Sequence, residues 1–148
     1  MSEGMTNATI ERIRVRYGET DAMGHAYYAN YLYWFEQARG AWCRERGFTY
    51  KGLEEEGVML PVVEAHVRYR AEVGYDEVVL VHVRVAEVRR ASIHFEYEVY
   101  KEETGVLCAD GYTWHVAMGH ERKAISIPAP VRELLERPMG APSGEPDA

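Results

Sequence analysis

The chain has 148 residues, of which 47% are hydrophobic and 28% charged, as expected for one soluble globular domain. Its net charge of −7 disfavours nucleic acids and anionic membranes as partners. No apolar run is long enough to span a bilayer and residues 1–8 lack the features of a signal peptide, so we expect a cytoplasmic protein. Cys43 and Cys108 have no zinc-site or redox-motif spacing, which predicts two buried thiols.

One folded domain is predicted over residues 9–137. The polar residues 1–8 and the Pro/Gly-rich residues 138–148 are predicted to be disordered. The domain opens with a half-buried strand, because Ile13, Val15 and Tyr17 alternate with arginines.

A strong helix is predicted over residues 30–46, after a loop at 18–29. Its apolar stripe recurs at helical spacing and comprises Tyr31, Leu32, Phe35, Ala38, Trp42 and Cys43. Asn30 is the predicted N-cap and Gly47 the predicted residue just past the C-terminus. Residues 48–58 are irregular or helical.

Four more strands are predicted by their apolar patterns, at residues 63–69, 78–88, 93–99 and 106–118. The second of these is nearly continuous in apolar residues, which predicts a central strand covered on both faces. Short turns between the strands predict antiparallel hairpins. A short helix over residues 128–137, with Pro128 or Pro130 in its first turn, closes the domain. One long helix against an antiparallel sheet is an α+β architecture, and its uncovered sheet face and edge favour oligomerisation.

The loop before the long helix concentrates groups that can carry chemistry. Asp21, Gly24 and His25 lie just ahead of the positive end of the helix dipole, where an acyl carbonyl can be polarised and attacked. Taken by itself, Asp21 is either a catalytic carboxylate or a loop-capping residue. His25 orients Asp21, binds substrate or satisfies the loop backbone. Glu36 either reaches the site as an orienting group or pairs with Arg39 on the helix surface.

These segments resemble the hotdog fold, specifically the 4-hydroxybenzoyl-CoA thioesterase family. The matching stretches are RYGETDAMGH (16–25), YANYL (28–32), FEQAR (35–39), LPVVE (60–64) and SIHFEYEV (92–99). The resemblance covers about residues 10–137. It implies a long central helix wrapped by a five-stranded antiparallel sheet.

The resemblance also implies an acyl-CoA thioester hydrolase with no metal or redox cofactor, assembled as a homodimer or homotetramer with active sites between protomers. Asp21 matches the family's catalytic aspartate. Tyr28 matches the position whose backbone N–H points at the thioester carbonyl. Some relatives carry histidine at that position, whereas in this chain the histidine is His25, three residues earlier.

The expected chemistry needs a base or nucleophile and an oxyanion donor, because the thiolate leaving group departs with little help. Asp21 supplies the first, by attacking the carbonyl or by activating water. Free N–H groups near Tyr28 supply the second. The coenzyme A phosphates need basic partners, and the leading candidates are Arg89 and Arg90, in the turn before Ser92, with Arg68, Arg70, Arg122 and Lys123 as further candidates. Each of these side chains is alternatively a solvated surface charge.

Two other functions remain open from the sequence. One is a hotdog hydratase or dehydratase that uses His25 with a helix carboxylate such as Glu36. The other is a non-catalytic acyl-CoA-binding module. A metal site built from Asp21, His25 and Glu36 has suitable residue types but lacks paired histidine spacing.

Overall fold

A computed structural model describes residues 7–137. Most of the two segments predicted to be disordered, residues 1–8 and 138–148, lies outside the described residues. Asn7 and Ala8 are described, and the carbonyl oxygen of Asn7 accepts a hydrogen bond from Arg46 Nη2 at 3.0 Å. Between residues 7 and 137, no helix is both long and apolar enough to cross a membrane.

Five strands and three helices make up the described part of the chain. In chain order they are β1 (Thr9–Arg14), α1 (Asn30–Glu45), α2 (Tyr50–Glu55), β2 (Val62–Tyr69), β3 (Val78–Val88), β4 (Ser92–Lys101), β5 (Leu107–Val116) and α3 (Ala129–Leu135). The strands form one antiparallel sheet in the order β1-β3-β4-β5-β2. The predicted α+β fold is therefore confirmed, as are the antiparallel hairpins β3–β4 and β4–β5. The hairpin predicted between the strands at 63–69 and 78–88 is wrong, because β2 pairs with β5 and not with β3.

The core lies between α1 and one face of the sheet. Phe35 of α1 stacks on Tyr97 of β4 with ring centroids 4.0 Å apart, and Trp42 meets Phe95 edge-on at 5.7 Å. The predicted stripe on α1 is buried except at Leu32, which is 43% exposed because it flanks the side turned from the sheet. Both cysteines are buried free thiols, as predicted.

Gly111 allows the close approach of three elements. A Cβ on this residue would collide with the carbonyl oxygen of His66 on β2 and would lie 3.0 Å from Cε2 of Phe35 on α1. Only a residue without a side chain leaves room for β2, β5 and α1 to pack this tightly. The close packing brings the end of β2, including Tyr69, against the start of α1.

The first predicted strand is too long. β1 ends at Arg14, and Tyr17–Glu19 form a 3-10 turn in which Tyr17 is 77% exposed. Val15 remains buried, and its N–H donates to the carbonyl of Glu77 at 2.9 Å. The backbone leaves the sheet here because it feeds directly into the loop before α1, so the alternation through Tyr17 does not mark a buried face.

The prediction that residues 78–88 are covered on both faces is wrong for the single chain. Val79, Val81 and Val83 are completely buried, but the residues between them are half-buried. Only one face of the sheet carries α1, and the other face carries charged side chains and stacked aromatic rings that are partly exposed. Strand β2 lies at the edge of the sheet and its side chains are largely exposed, including Val63.

The predicted helix ends are partly confirmed. Gly47 follows α1 with a positive φ of 88°, as predicted for a residue past a helix C-terminus. Helix α3 begins after Pro128 with Pro130 in its first turn. Asn30 is not the N-cap of α1: Ala29 occupies that position, and Asn30 is the first helical residue.

Candidate active site

The loop that carries Asp21 is closed by its own hydrogen bonds. Asp21 Oδ1 accepts from the N–H groups of Met23 at 2.9 Å and His25 at 3.3 Å, and the N–H of Asp21 donates to the carbonyl of His25 at 2.8 Å. Gly24 supplies the positive φ of 79° that this turn requires. Asp21 Oδ2 accepts no hydrogen bond from the described residues. Asp21 therefore caps its loop with one oxygen and keeps the other available.

The start of α1 presents two unused backbone donors. The N–H of Tyr27 donates to the carbonyl of Glu19 at 2.7 Å, and the N–H of Asn30 donates to the carbonyl of Tyr27 at 2.9 Å. Between these two, the N–H groups of Tyr28 and Ala29 have no acceptor within residues 7–137. Unpaired donors at a helix N-terminus favour an anion or a developing oxyanion.

Asn30 contributes to this geometry through its side chain. Its Nδ2 donates to the carbonyl of Glu19 at 2.7 Å instead of capping the helix. Glu19 also accepts from Nε1 of Trp34 at 3.2 Å and from the N–H of Arg16 at 2.8 Å. Glu19 therefore ties the loop to the first turn of α1, a role that sequence analysis missed because its partners are 3 to 15 residues apart.

One cleft brings together the three predicted catalytic residues, Asp21, His25 and Tyr28. It has a volume of about 400 Å³. The rest of its wall comes from the loop, from α1 and from the segment at the end of β2, and consists of Met23, Ala26, Tyr31, Tyr69, Arg70, Ala71, Glu72 and Val73. Apolar and aromatic side chains with a few polar groups are the usual lining of a small-molecule site.

His25 has a partner that the sequence did not reveal. Its Nε2 lies 2.7 Å from Oε2 of Glu72, while its backbone N–H binds Asp21. The imidazole therefore pairs with Glu72, and only the His25 backbone touches the Asp21 carboxylate. Glu72 is three residues past β2 and 47 positions from His25, so no local pattern indicated the pair.

Two exposed tyrosines lie side by side just before α1. The rings of Tyr27 and Tyr28 are 4.6 Å apart, and interaction with the Tyr28 side chain raises the pKa of Tyr27, with a smaller contribution from the Asp21 charge. The aromatic residues of the loop and helix were predicted to be mostly core, with one or two lining a pocket. Tyr31, Trp34 and Phe35 are buried as predicted, whereas Tyr27 and Tyr28 are exposed.

The residues predicted to hold coenzyme A lie elsewhere in the single chain. Arg89 and Arg90 lie in the β3–β4 turn and Ser92 begins β4. This turn is at the end of β3 away from the cleft, and β3 has 11 residues, a length of about 35 Å. Arg89 pairs with Glu87 at 2.7 Å and stacks over the Trp114 ring, and Arg90 donates to Ser126 at 2.8 Å. Among the lesser candidates, Arg70 does line the cleft, where it pairs with Asp110 at 2.6 Å.

Glu36 does not line this cleft. It borders a separate groove of about 710 Å³ on the other side of the helix start, together with Arg16 and Trp34. The predicted surface pair between Glu36 and Arg39 is wrong, because Arg39 points into the core and its Nη1 donates to the Tyr97 hydroxyl at 3.1 Å. Within residues 7–137, no three His, Cys, Asp or Glu side chains are grouped as a metal site.

A family model described as the thioesterase-like superfamily matches residues 15–135. The chain belongs to this superfamily. Among curated relatives, it is 36% identical over 121 residues to the acyl-CoA thioesterase YbgC of Haemophilus influenzae, which covers 76% of this chain and 89% of the relative.

Solved structures share the fold of this chain. A DHNA-CoA thioesterase from Staphylococcus aureus superposes with a TM-score of 0.77 at 34% identity, covering 81% of this chain and 80% of that one. A hypothetical protein from Aquifex aeolicus superposes with a TM-score of 0.82 at 35% identity, covering 86% of this chain and 99% of that one. The predicted hotdog fold and the predicted thioesterase family are both confirmed.

Proposed function

We propose that this superfamily member is an enzyme that hydrolyses a small-molecule acyl-CoA to the free acid and coenzyme A. One observation carries the proposal: a single cleft is lined by Asp21, which has an unpaired carboxylate oxygen, and by Tyr28, whose N–H, like that of the adjacent Ala29, has no acceptor among residues 7–137. The names of the thioesterase relatives, which act on acyl-CoA, point to the same chemistry.

Asp21 provides the attacking group in this proposal. Its Oδ1 is held by the loop, so Oδ2 is presented in a defined direction. Acting as a nucleophile, Oδ2 bonds to the thioester carbon, the C–S bond breaks with release of the coenzyme A thiolate, and water hydrolyses the mixed anhydride. Acting as a general base, it takes a proton from the water that attacks the same carbon. The cleft accommodates either step, and a positioned base contributes roughly 10²–10⁴-fold to the rate.

The helix start stabilises the charge that develops on the carbonyl oxygen. The N–H groups of Tyr28 and Ala29 have no internal acceptor to give up, so no hydrogen bond must break before they bind the oxyanion. One such donor contributes about 10²–10³-fold in comparable sites. We assign His25 to holding the loop, through its backbone bond to Asp21 and its ring contact with Glu72.

Coenzyme A binding and assembly extend the proposal. We propose that a homodimer or homotetramer forms and that Arg89, Arg90 and Ser92 reach the coenzyme A phosphates at a site between protomers. The exposed edge strand β2, with unpaired backbone groups along one side, supports pairing with a second sheet. We also propose a cytoplasmic location, which suits free buried thiols.

The decisive test measures thiol release with a disulfide reagent across a panel of aliphatic and aromatic acyl-CoA thioesters. Asp21→Asn keeps an acceptor oxygen for the Met23 and His25 N–H groups, so the loop should stay folded. We expect this variant to lose at least about 100-fold in kcat. Asp76→Asn is the matched control, since Asp76 is a loop aspartate that pairs with Arg14 outside the cleft, and it should retain full turnover.

Three outcomes would contradict the proposal. Full turnover by Asp21→Asn would remove the mechanism. Loss of enoyl-thioester absorbance without thiol release would instead indicate a hydratase, although His25 and Glu36 line separate depressions in the single chain. Acyl-CoA binding without any turnover would indicate a binding module.

A further inference from the structure

The side chain of Tyr69 makes a long-range contact at the point where the proposed oxyanion donors lie. Its hydroxyl donates to the carbonyl oxygen of Tyr28 at 2.8 Å. Its ring packs edge-on against Tyr31 at 5.0 Å and against Tyr28 at 6.4 Å between centroids. Tyr69 is the last residue of β2, so a strand from the far edge of the sheet is anchored to the first residues of α1.

This hydrogen bond is the shorter of two that hold the Tyr28 carbonyl, since the N–H of Tyr31 also donates to it at 3.4 Å. A trans peptide is planar, and its C=O and N–H point in opposite directions. No described peptide bond is cis, so binding the Tyr28 oxygen on the Tyr69 side directs the N–H of Ala29 to the other side. That N–H has no acceptor among residues 7–137, and neither has the N–H of Tyr28, a residue that lines the cleft together with Asp21 and Tyr69.

The position of Tyr69 argues against a role confined to stability. The residue is 47% exposed and lines the cleft with Asp21. Burial, followed by the neighbouring Tyr28, raises the pKa of Tyr69, so its hydroxyl remains a donor at any working pH. A phenylalanine here would keep both ring contacts and lose only the hydrogen bond.

We propose that Tyr69 is a positioning residue, whose hydroxyl holds the Tyr28 carbonyl and so fixes the backbone at the start of α1, where the acceptor-free N–H groups of Tyr28 and Ala29 receive the thioester carbonyl. The inference rests on the proposed function, since it concerns the oxyanion donor of that reaction. Tyr69 acts through the backbone and touches neither the scissile bond nor the leaving group.

The test compares Tyr69→Phe with Tyr112→Phe. Tyr112 also donates its hydroxyl to an acceptor on another strand, Glu64 at 2.6 Å, but it stacks with His66 on the outer sheet face. We expect Tyr69→Phe to lower kcat about tenfold, on the order of the worth of one hydrogen bond, with KM changed less than twofold. Its unfolding temperature should fall no more than that of Tyr112→Phe, which also loses one hydroxyl hydrogen bond. Tyr112→Phe should leave kcat and KM at wild-type values.

A pair of ligands separates positioning from general damage to the cleft. The first is an acyl-CoA ketone analogue in which CH₂ replaces the sulfur, so that the carbonyl is kept. The second is an alkyl-CoA thioether without a carbonyl. Tyr69→Phe should weaken binding of the ketone several-fold and leave binding of the thioether unchanged. Equal weakening of both ligands, or a kcat within twofold of wild type, would overturn the inference.

The two proposals fail in different ways. If the wild-type protein releases no thiol from any acyl-CoA, the proposed hydrolysis is wrong, and the ligand pair still decides whether Tyr69 positions a carbonyl donor. If the wild type hydrolyses acyl-CoA and Tyr69→Phe matches it, only the role of Tyr69 is refuted. If neither ligand binds the wild type, both proposals fall.

Discussion

Acidification should destabilise this protein through His115, which is buried in the core with 1% exposure. Its Nδ1 lies 2.8 Å from the carbonyl oxygen of Leu60, which can only accept, so Nδ1 carries the proton. Its Nε2, 2.9 Å from the Thr113 hydroxyl, then acts as an acceptor. The Thr113 hydroxyl therefore donates to His115, and the Tyr97 hydroxyl, 2.6 Å from Thr113, donates to Thr113 in turn. Arg39 donates to the Tyr97 oxygen.

Protonating His115 breaks this order. Nε2 would become a donor, so the Thr113 hydroxyl would lose its acceptor, and one hydroxyl hydrogen of the Thr113–Tyr97 pair would be left unpaired because Arg39 cannot accept. Burial lowers the pKa of His115 from 6.5 to about 4, opposed by the Leu60 hydrogen bond and reinforced by the Arg39 charge. The unfolded state therefore binds more protons between these two values. The stabilisation is fully present above pH 6.5 and is lost as the pH falls toward 4.

The magnitude follows from linkage. A folded pKa of about 4 against 6.5 unfolded removes about 2.5 kcal/mol of unfolding free energy between pH 7.5 and pH 4.5. Urea unfolding of wild type and His115→Gln at both pH values isolates this contribution, because carboxylate effects are common to both proteins. Wild type should lose about 2.5 kcal/mol more than the variant over the interval. Equal losses, or an NMR titration of native His115 near pH 6.5, would refute the reasoning.

Two further predictions test the packing. Gly111→Ala should lower the free energy of unfolding by about 3 kcal/mol in urea titrations, because its Cβ must displace the β2 backbone or Phe35; an unchanged midpoint would show that β2 moves freely. Cys43 and Cys108 should react with a disulfide reagent only after unfolding, since both are buried and burial raises the pKa of Cys43 to about 12. Rapid labelling of the native protein would contradict this prediction. If labelling is slow, the protein's own thiols add little background signal to the thiol-release assay.

Local sequence signals account for the parts of the site that are close along the chain. The 3.6-residue periodicity placed α1, and the run Asp21 to His25, with Gly24 at a position of positive φ, identified the loop before it. Asp21, His25 and Tyr28 reach the same cleft because one short loop joins them to the start of one helix. Such features depend on neighbours a few residues away, which a single sequence displays directly.

The contacts that complete the site depend on the tertiary structure. Tyr69 lies 41 residues from Tyr28 and Glu72 lies 47 from His25, and neither carries a local pattern that names its partner. The two wrong predictions of burial have the same origin. The apolar pattern predicted that Tyr17 and the outward side chains of β3 are buried, but only the packing of α1 decides which face of the sheet is covered.

The amino-acid sequence by itself therefore determined the order of elements, the antiparallel α+β fold and the carboxylate loop at the helix start, because short-range periodicity and turn chemistry encode them. Only the folded chain decided which strand supports that helix start and which side chains line the cleft, because these depend on segments that meet across the sheet.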